Sequence, residues 1–285
     1  MYRLPAPPRG AVPVPRGGGG PALIAVAHGS RDPRSAATMA AVVAVVAAAR
    51  PGIPVRLAFL DLSTPSVDEV VDDLAAQGHT DVIVVPLLLG NAFHARVDLP
   101  ALLTETGRRH PRVRLTQAEV LGPDPLLIAA VADRVALSCR LPSLSARVTP
   151  LAPAFPTAFT DAADLLSDPP VGIAVAAVGS RDTAANRRTA VVARRLAAAT
   201  GCPTEMCFAT VEPGIEYAVD QLRARGAERI VIAPWFLAPG LLTDRLIAAA
   251  PEVVHADVIG AHAGLVDVIW ARYDTAVATE LVLSA

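Results

Sequence analysis

Three polar residues in the first half of the chain follow consecutive apolar runs that read as buried strands. They are His28 in Ala27-His28-Gly29-Ser30-Arg31-Asp32, Asp61 in Ala58-Phe59-Leu60-Asp61, and His94 in the segment after Val85-Pro86-Leu87-Leu88-Leu89. In an open parallel α/β sheet the carboxyl ends of such strands converge on one edge, and ligands bind there. Two imidazoles and a carboxylate suit a divalent Fe, Co, Ni or Zn ion held by few protein ligands, with coordination positions left open. The same groups accept protons near neutral pH. A lone histidine is usually structural or on the surface. Three such groups at successive strand ends make a site.

The second half of the chain repeats the scaffold without this chemistry. Its counterpart of the His28 motif is Ala177-Val178-Gly179-Ser180-Arg181-Asp182, and the segment after Ala233-Pro234-Trp235-Phe236-Leu237 carries no histidine. A repeat that keeps its framework and loses its titratable side chains points to one working site and one retired copy. The repeat length of roughly 150 residues means two homologous domains rather than a solenoid.

The elements that must position these residues alternate. Ala22–Ala27, Val55–Leu60, Val82–Leu88 and Val113–Ala118 read as strands of the first half. Helices follow them: one from Asp32-Pro33 to about Ala49, one opened by Thr64-Pro65 and ended by Gly78, a short one running to Arg108, and one from Gly122-Pro123-Asp124 to about Leu137. Val171–Ala177, Thr204–Phe208, Arg229–Trp235 and Val253–Ile259 are the expected strands of the second half, with helices from about Thr183, Pro213, Leu241 and His262. Near-continuous apolar strands alternating with helices imply parallel sheets covered on both faces. The expected architecture is therefore α/β: two tandem domains, each a mainly four-stranded parallel sheet flanked by helices. The expected boundaries are a Pro/Gly-rich disordered leader over 1–20, a first domain over 21–140, a Pro/Ser/Ala-rich linker over 141–170 and the repeat over 171–285.

The composition narrows the classes further. Of 285 residues, 53% are apolar and 18% charged, enough for a sizeable core, and the net charge of −2 comes without a basic run, which argues against nucleic-acid binding. Three cysteines without CxxC spacing argue against a disulfide framework. No segment reaches the roughly 18–20 apolar residues of a membrane span, and the N-terminal stretch lacks the apolar core of a secretory signal. The expectation is a soluble cytoplasmic protein.

Gly29-Ser30-Arg31-Asp32 precedes a helix, so its backbone amides could hold an anion and Arg31 could pair with a carboxylate; the bland alternative is a tight turn with an Asp cap. The repeat keeps the same four residue types without the histidine, which favours a structural role for much of the motif. His79, His110 and His255 fall at turns or element ends and read as solvated, and His262 stands near a strand end without partners. Gly17–Gly20 precedes a strand instead of following it, so it is not a dinucleotide loop. A Walker A motif, a GxSxG nucleophile and an HExxH zinc motif are all absent from the sequence.

In combination, Ala27-His28-Gly29-Ser30-Arg31-Asp32-Pro33, Ala58-Phe59-Leu60-Asp61, Val85-Pro86-Leu87-Leu88-Leu89, His94-Ala95-Arg96-Val97-Asp98-Leu99-Pro100 and Leu121-Gly122-Pro123 resemble the class II tetrapyrrole chelatases, specifically the sirohydrochlorin (precorrin-2) chelatases. The likeness covers Leu23 to about Arg140, and the second half looks like the degenerate copy of two-domain members. It implies an ATP-independent lyase that inserts Fe²⁺ first, Co²⁺ next, or Ni²⁺ into sirohydrochlorin, for siroheme or cobalamin biosynthesis. The metal is a substrate, and no permanently bound cofactor is implied. The resemblance makes His28 and His94 the metal-binding pair and Asp61, where relatives usually carry Glu, a carboxylate that accepts or relays protons. Ser30, Arg31 and Arg96 become candidates for the substrate's carboxylates. Val178, Thr210 and roughly Leu242 occupy the matching positions of the repeat. The implied molecule is a monomer with an internal pseudo-dimer, one site in a cleft between domains, and no nucleic-acid or membrane partner. Two other readings are a non-catalytic metal or tetrapyrrole carrier using the same histidines, and a hydrolase using Gly29–Asp32 with His28 as base.

Overall fold

The computed structural model describes residues 20–90, 98–140 and 170–283. Nearly all of the expected leader and linker, and both His94 and Arg96, lie outside these residues. The first half runs β1 (Ala22–Ala27), α1 (Pro33–Ala49), β2 (Val55–Phe59), α2 (Val67–Ala76), β3 (Asp81–Pro86), α3 (Leu99–Arg109), β4 (Arg114–Gln117) and α4 (Pro125–Arg140). The second runs β5 (Val171–Ala177), α5 (Thr183–Thr189), α6 (Val191–Thr200), β6 (Thr204–Phe208), α7 (Ile215–Ala224), β7 (Arg229–Pro234), α8 (Leu241–Ala249), β8 (Val254–His255) and α9 (Ala263–Leu283). Each half builds a parallel four-stranded sheet, in the orders β2-β1-β3-β4 and β6-β5-β7-β8. The central strands β1 and β5 are buried along their whole length, which is why they are written in Ala, Val, Leu and Ile with only Gly172 of β5 besides.

Local chemistry starts and stops the helices. Asp32 caps α1 by accepting the Arg34 amide at 3.0 Å, and Asp182 caps α5 the same way from Ala184 at 2.8 Å. Helix α2 begins later than Thr64-Pro65 suggested. Its cap is Ser66, which forms a reciprocal capping box with Glu69, so that the Glu69 and Ser66 amides are both satisfied within the box. The expected last strand, Val253–Ile259, shrinks to the two residues of β8. Ile259 is buried without joining the ladder, so its apolar character reflects core packing rather than pairing.

The two halves exchange their last helices. Helix α4 of the first half packs on β7 and α6, whereas α9 of the second half packs on β3, β4 and α1. Polar contacts repeat the exchange with matching partners: the Arg134 guanidinium on α4 donates to the Ile259 carbonyl, and that of Arg272 on α9 donates to the Leu121 carbonyl, at 2.8 and 2.9 Å. Tyr273 donates to the Pro21 carbonyl at 2.6 Å, and Trp270 stacks under the Arg50 guanidinium at 4.3 Å. As a result one continuous core joins Leu23, Val46 and Leu127 to Ile173, Leu196 and Ile269. Separate outer clusters lie under α2 and α3 and under α7 and α8. Among the described residues no helix is long and apolar enough to cross a membrane. Cys202 and Cys207 are buried, and burial pushes the Cys207 thiol up to about 12, so it stays protonated at neutral pH.

Candidate functional site

His28 and Asp61 lie side by side at the carboxyl edge of the first sheet. β1 and β2 are hydrogen-bonded neighbours, and their pairing continues past the strands, where the Asp61 amide donates to the His28 carbonyl at 3.0 Å. Both residues are exposed. β1 is also flanked by β3, and the segment after β3 starts beside the same edge, with the Leu87 amide on the Val26 carbonyl at 2.7 Å. This is the place in the sheet order where ligands bind in doubly wound folds. The structure thus brings together two of the three groups singled out in the sequence. His94 comes between β3 and α3 in the sequence and lies outside the described residues.

The backbone around the pair is tightly held. Gly29 has φ of 94°, and a Cβ there would stand 1.7 Å from the Asp61 carbonyl oxygen, so only glycine fits. The Ser63 hydroxyl donates to the Ser30 carbonyl and accepts the Ser30 amide, at 3.0 and 3.1 Å, clasping the two loops. Between Asp61 and Ser63, Leu62 has φ of 61°, and the Ser63 amide donates back to the Asp61 carbonyl at 2.8 Å, a γ-turn pattern. The Asp61 carboxylate accepts the Leu62 amide at 2.7 Å. Such a conformation costs a side-chain-bearing residue about 1–2 kcal/mol. Strain of this kind collects at functional sites.

The Gly-Ser-Arg-Asp motif is largely structural. The Ser30 hydroxyl accepts the Asp32 amide, and Asp32 accepts the Arg34 amide, each at 3.0 Å. With the Ser30 amide on Ser63, these partners fill the anion site that the sequence suggested at the start of α1. Arg31 is exposed and takes no part in this network, and the Ser30 hydroxyl keeps a hydrogen to donate. Arg34 lies across the boundary between halves, with Asp32 and Asp244 each at 2.5 Å. Its hydrogen-bonded guanidinium lowers the Asp32 pKa, and both carboxylates raise its own.

Beside this edge a cleft of about 430 Å³ opens between the halves. Gly29, Ser30, Arg31 and Leu62 line it from the first half. Val178, Phe236, Leu241, Leu242 and Arg245 line it from the second. His28 and Asp61 are the chain neighbours of Gly29 and Leu62. Val178 and Leu242, the repeat's counterparts of the two histidines, are wall residues. Thr210, the counterpart of Asp61, turns its hydroxyl inward to the Val178 carbonyl at 2.8 Å.

Three of the other histidines have partners elsewhere. His262 caps α9: its Nδ1 accepts the Gly264 amide, and its Nε2 faces Asp133, both at 3.1 Å. No local sequence pattern points to this partner, because Asp133 lies on the exchanged helix α4. Burial lowers the His262 pKa against the opposing pull of Asp133. His110 pairs with Asp72 at 2.5 Å, and His255 bonds the Ala250 carbonyl at 2.9 Å, so neither is simply solvated. The sequence reading missed Ser63, Leu62 and Arg245. The clasp and the wall are tertiary, and no local pattern announces them.

Comparison with known proteins gives a consistent picture. The chain is 34% identical over 115 residues to a sirohydrochlorin ferrochelatase of Bacillus subtilis, a match over 40% of this chain and 44% of that protein. It is 27% identical over 228 residues to a sirohydrochlorin cobaltochelatase of Priestia megaterium, over 79% of this chain and 66% of the relative. These matches span less than two thirds of the relatives' own lengths. The fold is similar to that of SirB from Bacillus subtilis with Fe³⁺, with TM-score 0.69 and 23% identity, covering 91% of this chain and 96% of that one. The CbiX family profile matches residues 22–138 and again 172–276, most of each half. The chain belongs to the CbiX family, and carries its fold twice.

Proposed function

We propose that this protein is a sirohydrochlorin chelatase that inserts a divalent metal ion into the macrocycle at the carboxyl edge of the first sheet. The observation that carries this reading is the pairing of His28 with Asp61 beside the cleft, set against Val178 and Thr210 at the same positions of the repeat. Names of relatives in both the iron and the cobalt branch agree with it.

Insertion exchanges one M²⁺ for the two pyrrole N–H protons, so the charge of the macrocycle core is unchanged. The macrocycle is itself the strong chelator, and the protein has to present the ion, position the ring and take protons away. His28, with His94, would hold the ion through neutral imidazole. Asp61 is exposed, carries one hydrogen bond from the chain, and is placed to receive a proton and pass it to water. Few protein ligands leave open positions on the ion for the pyrrole nitrogens. Fe²⁺ is the proposed metal and Co²⁺ the next. Imidazole binds both, so supply decides more than affinity. We also propose that one chain carries one site and works as a monomer, the second half taking the place of a partner subunit.

Absorbance-monitored insertion into sirohydrochlorin, anaerobically, with Fe²⁺ and with Co²⁺ against a protein-free control, tests the reading. Acceleration is the expected result, and the faster metal names the branch. Folded protein that binds the macrocycle or the ion without acceleration would be a carrier, and the proposal would fall.

A further inference from the structure

The cleft has a charge pattern unlike that of the molecule around it. The chain as a whole carries a net charge of −2. Yet the described side chains lining the cleft include two guanidinium groups, Arg31 and Arg245, and no carboxylate. The two come from opposite halves. Neighbouring Arg34 is engaged by Asp32 and Asp244. Arg245 has only a long contact of 3.4 Å to the Ala209 carbonyl, and among the described residues no carboxylate lies within ion-pair distance of it.

Apolar surface accompanies the charge. Leu62, Val178 and Leu241 are 49%, 45% and 67% exposed, and all three line this cleft. Apolar side chains grouped in the open mark a binding surface. Val178 is notable because it stands where the first half has its histidine, so the retired position has become apolar and stays uncovered. A ligand suited to this place has a flat apolar face and anionic groups at its rim. A charged group in a cleft with apolar walls acts more strongly than on an open surface.

We infer that the second half is the recognition half of the site. Arg245 pairs with a peripheral carboxylate of the macrocycle, and the ring face rests on Val178 and Leu241. The inference rests on the chelatase reading and adds to it a specificity-determining residue on the half without imidazole. Arg245 is remote from the reacting nitrogens, so its contact is equal in ground and transition states and acts on KM rather than on kcat.

The test uses the full chain. Metal-free sirohydrochlorin is titrated by absorbance into wild type, Arg245→Gln, Arg245→Glu and, as control, Arg181→Gln, whose arginine is the repeat's exposed counterpart of Arg31. Loss of one charge-assisted contact should weaken binding about tenfold in R245Q and further in R245E, with R181Q unchanged. In the insertion assay the R245Q loss should appear in KM. Co²⁺ binding to the macrocycle-free protein, followed by its visible absorption, should match wild type in every variant. Sirohydrochlorin esterified at its rim should bind wild type and R245Q alike. Wild-type affinity in both Arg245 variants, with wild-type insertion intact, would overturn the role of Arg245 and leave the chelatase reading standing. Wild-type protein that neither binds nor metallates the macrocycle would overturn both.

Discussion

The tips of the two sheets are built on one backbone plan with different side chains. Gly29 and Gly179 have φ of 94° and 89°, and Asp32 and Asp182 cap the helices that follow. Ser30 is clasped by the Ser63 hydroxyl, whereas Ser180 is held on both its amide and its carbonyl by the Asn186 side chain, at 2.8 Å each. What the halves share is therefore what the turn needs in order to fold. What they do not share is His28 against Val178, Asp61 against Thr210, and Leu62 with its positive φ against Val211 without one. The difference separates shared scaffold from unshared side chains within one molecule, and under the proposed function the chemistry belongs to the first half.

The strongest break of this comparison gives the first half the second half's residue. His28→Val should cut the insertion rate by about 10²-fold or more, through loss of metal presentation. His28 is exposed, so denaturant unfolding should move by no more than about 0.5 kcal/mol. An unchanged rate would remove His28 from the site.

Next come the glycines. Gly29→Ala drives a Cβ into the Asp61 carbonyl, which is backbone and cannot step aside, and should cost roughly 3–5 kcal/mol. Gly179→Ala meets a Val211 methyl at 2.8 Å, which can turn, and the Phe208 Cβ at 2.9 Å, which is fixed to its strand, and should cost roughly 1–3 kcal/mol. Equal unfolding midpoints for the two variants would mean the first turn is no tighter than the second.

Leu62 sharpens the contrast between stability and function. Leu62→Gly relieves a left-handed residue and should leave stability level or raise it by about 1 kcal/mol, while the insertion rate at low macrocycle concentration falls several-fold for want of an apolar contact. Val211→Gly, on the half without strain and with its side chain packed on the core, should lose about 1–2 kcal/mol. In thermal melts Val211→Gly should therefore fall below wild type and Leu62→Gly should not.

The smallest effect concerns two caps at equivalent helix starts. Asp124 caps α4, accepting the Leu126 amide at 3.0 Å, and also pairs with Arg272. His262 caps α9 through a nitrogen that must be unprotonated to accept. Because burial lowers its folded pKa, the unfolded chain binds the proton more tightly. The His262 contribution, about 1 kcal/mol for a cap, is whole above roughly pH 6.5 and is lost as pH falls through the lowered folded value. His262→Asn, which caps without titrating, should flatten that part of the stability profile. Retention of the wild-type slope would assign it to other groups.

Much of the fold was legible because its central strands are buried on both faces. The apolar runs at Ala22–Ala27 and Val171–Ala177 coincide with the inner strands β1 and β5, and the mixed Thr204–Phe208 with the edge strand β6. The Ser66-x-x-Glu69 capping box is also legible in the sequence, two residues after the competing start signal Thr64-Pro65. β8 is shorter than the expected Val253–Ile259 because a buried apolar residue looks the same whether it pairs or only packs. His28 and Asp61 were found because their positions relative to strand ends are local facts. Arg245 was not, since its meaning depends on which residues of the other half it faces. The exchange of α4 and α9 was invisible for the same reason: helical periodicity shows that a face is buried, not what buries it.

That exchange orders events on the ribosome. The inner face of the first sheet over β3 and β4 is covered by α9, which is synthesised roughly 150 residues after β4. At typical elongation rates the uncovered face waits on the order of ten seconds for its lid. The first half, although made first, cannot reach its final packing before translation has passed through the second.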